Sequence, residues 1–234
     1  MKLWVIIVTY HTPAEQLKQL IKQLVKTGIK RKQIFIKDNT KKNIGYAAAV
    51  NLGLRAGIKN KFEYFLVLNP DIYLNKFLTT DIEQGFARFN IFGGVFKQGK
   101  KTYYQGLIDP VYLSGGLSTV RKKEQYYPAD FVSGSLIFID LKTIKTIGYL
   151  NKQYFMYYED VDYCYRAQKN GLKVGINSRI RYTHFESLKN SLDKERYLKK
   201  NHRLFLDKYG AWWQKITYRY KQWQNRDDRQ KIPD

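Results

Sequence analysis

The chain begins with an almost unbroken apolar run, Leu3 to Thr9 (L-W-V-I-I-V-T), rich in β-branched residues. A run without polar alternation predicts a strand buried on both faces. From Pro13 the period changes. Leu17, Leu20, Ile21 and Leu24 recur on one side, with Lys18, Lys22 and Lys26 outside them, which predicts an amphipathic helix closed at Gly28. Ile34 to Ile36 reads as a second short strand ending at Asp38-Asn39-Thr40. Tyr46 to Ala56 is rich in small residues and helical, and Tyr64 to Leu68 is a third buried strand, stopped by Asn69-Pro70-Asp71. Strand, helix, strand, helix, strand predicts right-handed crossovers and an α/β fold around a mostly parallel sheet.

Further along, Phe77 to Phe89 reads as a helix and Ile91 to Phe96 as a strand. Gln98 to Tyr127 has many Tyr, Gly and Lys residues without a clear period and reads as a loop or hairpin insertion. Phe131 to Ile139 returns to strand. Beyond Tyr158, Val161, Cys164, Tyr165 and Gln168 share a helical face, Gly171 ends that helix, and Leu172 to Ile176 and Arg179 to His184 follow as strands. Asp193 to Tyr209 is helical, with Tyr197, Leu198, Leu204 and Phe205 as its apolar positions. The tail from Ala211 combines Trp212, Trp213, Ile216, Tyr220 and Trp223 with Lys215, Arg219, Lys221 and Arg226.

Composition narrows the partners. The 234 residues are 44% hydrophobic, enough for one domain with a sizeable core or one domain with an appendage. Lys and Arg total 42 against 20 Asp and Glu, so a net charge of +22 will attract polyanions: nucleic acid, anionic lipid or phosphorylated substrates. The single cysteine, Cys164, excludes an internal disulfide and a Cys-rich metal site. No signal-peptide pattern and no apolar run near the ~18 residues of a membrane span is visible, so a cytoplasmic location is expected.

In open α/β sheets ligands bind at the carboxyl ends of the strands, which here collect Thr9, Asp38, Asn39, Asn69 and Asp71. Asn69-Pro70-Asp71 sets a carboxylate in a tight turn. Such a group suits Mg or Mn, which bind through one or two carboxylates plus substrate phosphates; an ordinary Asn-Pro turn is the alternative. Asn43-x-Gly45-Tyr46 is a glycine turn opening a helix, a place for a phosphate. Glu159, Asp160 and Asp162 cluster directly after Phe155, Met156, Tyr157 and Tyr158. An apolar wall raises the cost of ionising a carboxyl and moves its pKa toward that of a general base. The same acids are equally placed as first-turn capping residues. Asp162 and Arg166, four apart, can pair on one helix face. His184 stands at the end of a strand-like segment.

Taken in order, Val8-Thr9-Tyr10, Asp38-Asn39-Thr40, Asn43-Ile44-Gly45-Tyr46-Ala47 with Asn51 and Gly53, Leu66 to Asp71, and Phe155 to Asp162 with Tyr165-Arg166 resemble the family 2 glycosyltransferases of the GT-A fold. Within that family they look most like the bacterial rhamnosyltransferase-like branch. The resemblance runs from Lys2 to about Tyr209. It implies a catalytic domain over residues 1–209, with a nucleotide-sugar-binding half (1–97) and an acceptor and catalytic-base half (98–209), followed by a basic aromatic tail (210–234). It assigns Thr9, Tyr10 and Asp38 to the base and ribose of a nucleotide-sugar, with Asn39 also among the donor-binding residues. Asn43, Gly45 and Asn51 go to the pocket floor near the diphosphate, and Asn69 and Asp71 to the metal-binding Asp-x-Asp position. Because Asn69 replaces the first Asp, Asp71 becomes the main metal carboxylate, with His184 as its companion. Asp160 matches the catalytic base, with Glu159 beside it.

The implied activity is a metal-dependent inverting transfer of rhamnose or a hexose from a dTDP- or UDP-linked donor, with Mn or Mg as cofactor. The acceptor would be a saccharide, lipid-linked, in surface-polysaccharide or cell-wall synthesis. The tail, with Trp and Tyr beside Lys and Arg, points to peripheral association with the inner face of the plasma membrane. Two alternatives stand beside this reading: a non-catalytic module of the same fold, and a basic nucleic-acid-binding protein. The second lacks any RNA-binding or helix-turn-helix signature.

Overall fold

A computed structural model describes residues 2–185 and 191–230, the last of these without side chains from 224 onward. Residues 231–234 and the Arg226 side chain of the predicted tail therefore lie outside the described residues. β1 (Leu3–Thr9) is buried along its whole length. It pairs in parallel with β2 (Ile34–Asp38) on one side and β3 (Tyr64–Leu68) on the other. The crossovers are α1 (Ala14–Lys26) and α2 (Tyr46–Lys59). The alternation of β1 divides the core. Leu3, Val5 and Ile7 join Leu20, Ile21 and Leu24 of α1, while Trp4, Ile6 and Val8 join Val50 and Leu54 of α2. α2 lies close to the sheet because Gly53 and Gly57 face it. A Cβ there would come within 2.5 Å of Ile6 and 2.6 Å of Trp4.

After β3 the chain forms β4 (Ile72–Lys76), α3 (Thr79–Phe86) and β5 (Ile91–Gln98). Next come β6 (Lys101–Tyr103), β7 (Gln105–Ile108), β8 (Gly115–Ser118), β9 (Tyr126–Pro128) and β10 (Leu136–Asp140). The remaining elements are α4 (Leu141–Ile147), α5 (Glu159–Lys169), β11 (Val174–His184), α6 (Ser191–Tyr209) and α7 (Trp212–Gln230). The main sheet runs β2-β1-β3-β10-β5-β11-β4, with β6 on β5 and β9 on β11. β10 is antiparallel to β3 and β5, and β4 is antiparallel to β11. The other three neighbour pairs along that order are parallel, so five of its seven strands run in one direction and the expected mostly parallel α/β sheet is present in that sense.

Several boundaries differ from the periodicity. The strand expected over Phe131 to Ile139 starts only at Leu136, because the Leu136 N–H turns back to Ser133 O at 3.2 Å. The helix expected from Phe77 starts at Thr79, and β4, a short edge strand with Ile72 and Leu74 inward, precedes it. The two strands expected before and after Ser178 are one, β11, with a register shift between Ile176 and Arg181. The unreadable Gln98 to Tyr127 segment holds the β7–β8 hairpin.

Candidate active site

The ends of β1 and β3, the start of α2, the turn before β10 and the N-terminus of α5 surround a cavity of about 860 Å³. That is the size range of small-ligand sites. Tyr10, Asn39, Asn43, Asn69, Asp71, Glu159, Asp160 and His184 all line it. Thr9, Asp38, Gly45 and Asn51 do not.

Those four stand outside its lining. Thr9 is buried and its Oγ1 donates to Asp38 Oδ1 at 3.3 Å. The same oxygen accepts the Thr40 N–H and Oγ1, at 2.9 and 2.6 Å. The Thr40 side-chain hydrogen bond, more than any other cause, holds the exposed Asp38 carboxyl below the usual aspartate value. Gly45 sits at φ +86°, with its N–H on Asn43 Oδ1 at 3.0 Å. A Cβ at Gly45 would meet Phe155 Cδ2 at 2.8 Å and Phe155 O at 2.9 Å, so Gly45 lets the aromatic loop before α5 close on α2. Asn51 is fully occupied away from the cavity: its Nδ2 donates to Leu150 O at 2.8 Å and its Oδ1 accepts the Leu150 N–H at 3.0 Å.

The turn after β3 carries Asp71, and β11 ends on His184. Asp71 Oδ1 and His184 Nε2 are 3.3 Å apart, and each atom is buried without a hydrogen-bond partner. Two orphaned ligand atoms facing each other on a cavity wall fit a divalent cation. Among the described residues no third His, Cys, Asp or Glu completes a cluster, so phosphate oxygens and water would have to fill the remaining positions.

Glu159 and Asp160 occupy the first turn of α5, where the helix dipole favours acids. Burial, foremost, pushes both carboxyls above their ordinary values. Their environments differ. Asp160 Oδ1 accepts the Val161 N–H and Oδ2 the Gly134 N–H, both at 2.8 Å, and the residue is partly accessible. Glu159 is buried, its Oε2 has no partner, and the neighbouring Asp160 charge raises it further. The two environments thus differ: two backbone N–H donors offset part of the burial cost of a charge on Asp160, while nothing comparable faces Glu159 Oε2. Asp160 also serves as a first-turn acid, so the capping and cavity readings of this residue are both met.

The loop leading into α5 is strained. Tyr157 and Tyr158 both have positive φ, +67° and +71°, rare for bulky residues. Asn201 of α6, itself buried, holds the turn by donating to Met156 O at 2.8 Å and Tyr157 O at 2.9 Å. Below it, Asp162 is fully buried and accepts Arg166 Nε at 2.8 Å and Tyr209 Oη at 2.8 Å, tying α5 to the end of α6. The predicted Asp162–Arg166 pair is therefore present as a helix anchor.

Sequence reasoning missed the turn Ser133-Gly134-Ser135, which joins the two halves of the site. The Asn69 N–H donates to Ser135 O at 2.9 Å, the Gly134 N–H donates to Asp160, and Gly134 O accepts Tyr46 Oη at 2.8 Å. It also missed Asn201.

No family model matches the chain. Over 166 residues it is 30% identical to the low-salt glycan biosynthesis hexosyltransferase Agl10 of Haloferax volcanii, covering 62% of this chain and 52% of that protein. Over 207 residues it is 25% identical to the N-acetylglucosaminyl-diphospho-decaprenol L-rhamnosyltransferase of Mycobacterium tuberculosis, covering 73% of this chain and 66% of that protein. The chain is a relative of the family 2 glycosyltransferases. It spans between half and two thirds of the length of these relatives. Among solved structures it is similar to GalNAc-T7 with UDP, GalNAc and Mn2+, at a TM-score of 0.58 and 13% identity over 80% of this chain and 43% of that one. It is also similar to A197 from STIV, at a TM-score of 0.56 and 14% identity over 80% and 87% of the two chains. These likenesses agree with the sheet order in showing a GT-A fold.

Proposed function

We propose that the chain is an inverting glycosyltransferase. It moves rhamnose or a hexose from a nucleotide-sugar to a saccharide acceptor, lipid-linked, in the assembly of a surface or cell-wall glycan. The observation that carries this reading is the meeting of two features on one cavity: the Asp71–His184 pair and the partly accessible Asp160 carboxylate. The names of the relatives support it from another side, since one is a hexosyltransferase and the other a rhamnosyltransferase whose name carries a diphospho-decaprenol acceptor.

The chemistry follows from the groups present. Asp71 and His184 would hold a divalent cation, Mn or Mg, which when bound neutralises charge on the departing diphosphate. Tyr10, Asn39 and Asn43 face the nucleotide side. Asp160 takes the proton of the acceptor hydroxyl as that oxygen attacks the anomeric carbon. The bond from that carbon to the donor phosphate oxygen breaks, and the nucleoside diphosphate leaves with the electron pair. The sugar carries oxocarbenium character at that moment, as in glycoside hydrolysis. One base and no nucleophile give inversion. The backbone donors Gly134 and Val161 hold both oxygens of Asp160 and so fix where its charge lies. Burial and the neighbouring Asp160 charge disfavour a second negative charge on Glu159 beside it.

The reading is tested by ligand-observed NMR with a panel of nucleotide-sugars, with and without manganese. It expects binding of a dTDP- or UDP-linked sugar that strengthens with manganese. A folded protein that binds none of the panel would overturn it.

A further inference from the structure

The outward side of α7 carries a surface that the transfer reaction does not use. Trp212, Ile216, Tyr220 and Trp223 fall at helical spacing along it and are 74%, 56%, 58% and 58% exposed. The opposite side of α7 is engaged. Gln214 is buried and its Nε2 donates to Pro110 O at 2.8 Å, while the Tyr218 ring meets His202 edge-on at 4.9 Å. The helix is thus pinned to the domain with its aromatic side turned away. Arg219 and Lys221 are exposed on the same helix, Lys221 Nζ lying 4.0 Å over the Tyr112 ring.

We propose that this side of α7 binds the headgroup–acyl boundary of an anionic bilayer. Trp and Tyr favour that boundary because the ring body enters the apolar layer while the N–H or O–H stays wet. Arg219, beside the stripe, and the net charge of +22 add attraction to anionic headgroups. A second copy is a poorer occupant. A two-fold contact through this stripe would bring Arg219 into the interface from both sides, on two chains that each carry +22. Among the described residues no helix is long and apolar enough to cross a membrane, so the attachment through α7 is to the surface.

The hairpin that α7 packs on, through Pro110 and Tyr112, also supplies Gly115, Gly116 and Leu117 to the cavity wall. Docking through α7 therefore turns a continuous element from the bilayer toward the cavity, which suits a lipid-linked acceptor. That last step rests on the proposed function; the membrane binding does not.

The test is cosedimentation of the full chain with vesicles of phosphatidylglycerol and phosphatidylcholine, against phosphatidylcholine alone. Two variants accompany it: Trp212→Ser, Ile216→Ser, Tyr220→Ser and Trp223→Ser combined, and Arg219→Glu. All changed positions are exposed, and circular dichroism and nucleotide-sugar binding report separately on the fold and the cavity. The wild type is expected to sediment with anionic vesicles, weakening with salt, and the aromatic variant to lose at least about tenfold in partitioning. Arg219→Glu is expected to lose less, in the same direction. Wild type left in the supernatant, or an aromatic variant that sediments equally well, would overturn the proposal. So would a dimer that dissolves in the aromatic variant and survives vesicle addition.

Discussion

Asp71 Oδ1 and His184 Nε2 face each other at 3.3 Å across the turn after β3 and the end of β11, and neither buried atom has a hydrogen-bond partner. The two residues come from distant parts of the chain and meet because β11 runs antiparallel to β4, which starts just after Asp71. The register pairs His184 with Ile72. The sheet itself thus assembles the pair.

If this pair holds a cation with help from the donor diphosphate, Asp71→Ala and His184→Ala should each weaken manganese binding in the presence of nucleoside diphosphate. The loss should be at least the ~10-fold that even supporting groups around a metal command. Manganese electron paramagnetic resonance measures it directly. Equal manganese binding by wild type and Asp71→Ala would remove the metal role from this turn.

Glu159 gives a pH signature. Its folded pKa lies above the ordinary glutamate value of 4.5, chiefly through burial. The folded state therefore binds the proton more tightly than the unfolded chain. This contribution is fully present below the unfolded value and is lost as pH rises from there through the folded value. Glu159→Gln, a neutral isostere, should raise the melting temperature relative to wild type at pH 7.5 and change it little at pH 4. Thermal melts of both proteins at the two pH values check this; a Gln variant that is less stable at pH 7.5 would show that the charged form is favoured there.

Asp162 is an anchor rather than a reactant. Replacing it with Ala leaves the partly buried Arg166 guanidinium without its carboxylate and the partly buried Tyr209 hydroxyl without its acceptor. Breaking such a buried pair costs roughly 3–5 kcal/mol. Urea denaturation should show a loss of that order. A loss within experimental error would mean that α6 is held to α5 by other contacts.

Gly45→Ala tests the closure of the aromatic loop. At φ +86° and ψ 158° only glycine is at ease, and the added methyl would meet Phe155 at 2.8 Å. Strain in that region costs on the order of 1–3 kcal/mol. Melting should fall accordingly, and nucleotide-sugar binding should weaken because Phe155 lines the cavity. Unchanged stability and binding would show that the loop can retreat freely.

The first half of the fold was largely legible because its signal is coarse. β1 is apolar without alternation, and α1 has a clear stripe, so strand ends and their polar residues could be located before any coordinates. Tyr10, Asn39, Asn43, Asn69, Asp71, Glu159, Asp160 and His184 do share a cavity. Asn51 could not be sorted this way, since a buried Asn satisfied by Leu150 and one facing a ligand look alike in sequence. The turn at Ser133 to Ser135 was hidden for a different reason. It acts through backbone N–H and C=O groups, which leave no side-chain pattern, and its apolar flanks, Phe131-Val132 and Leu136 to Ile139, imitate a continuous strand. Asn201 sits among charged and apolar residues of α6 with no pattern to mark it, and the strain at Tyr157 and Tyr158 shows what it holds.

The most direct test is Asp160→Asn, measured for donor binding and for transfer to a saccharide acceptor in parallel. The account predicts that donor affinity is kept while turnover falls by ~10²–10⁴-fold, the usual cost of losing a general base. Turnover at the wild-type rate by a folded Asp160→Asn protein would contradict it.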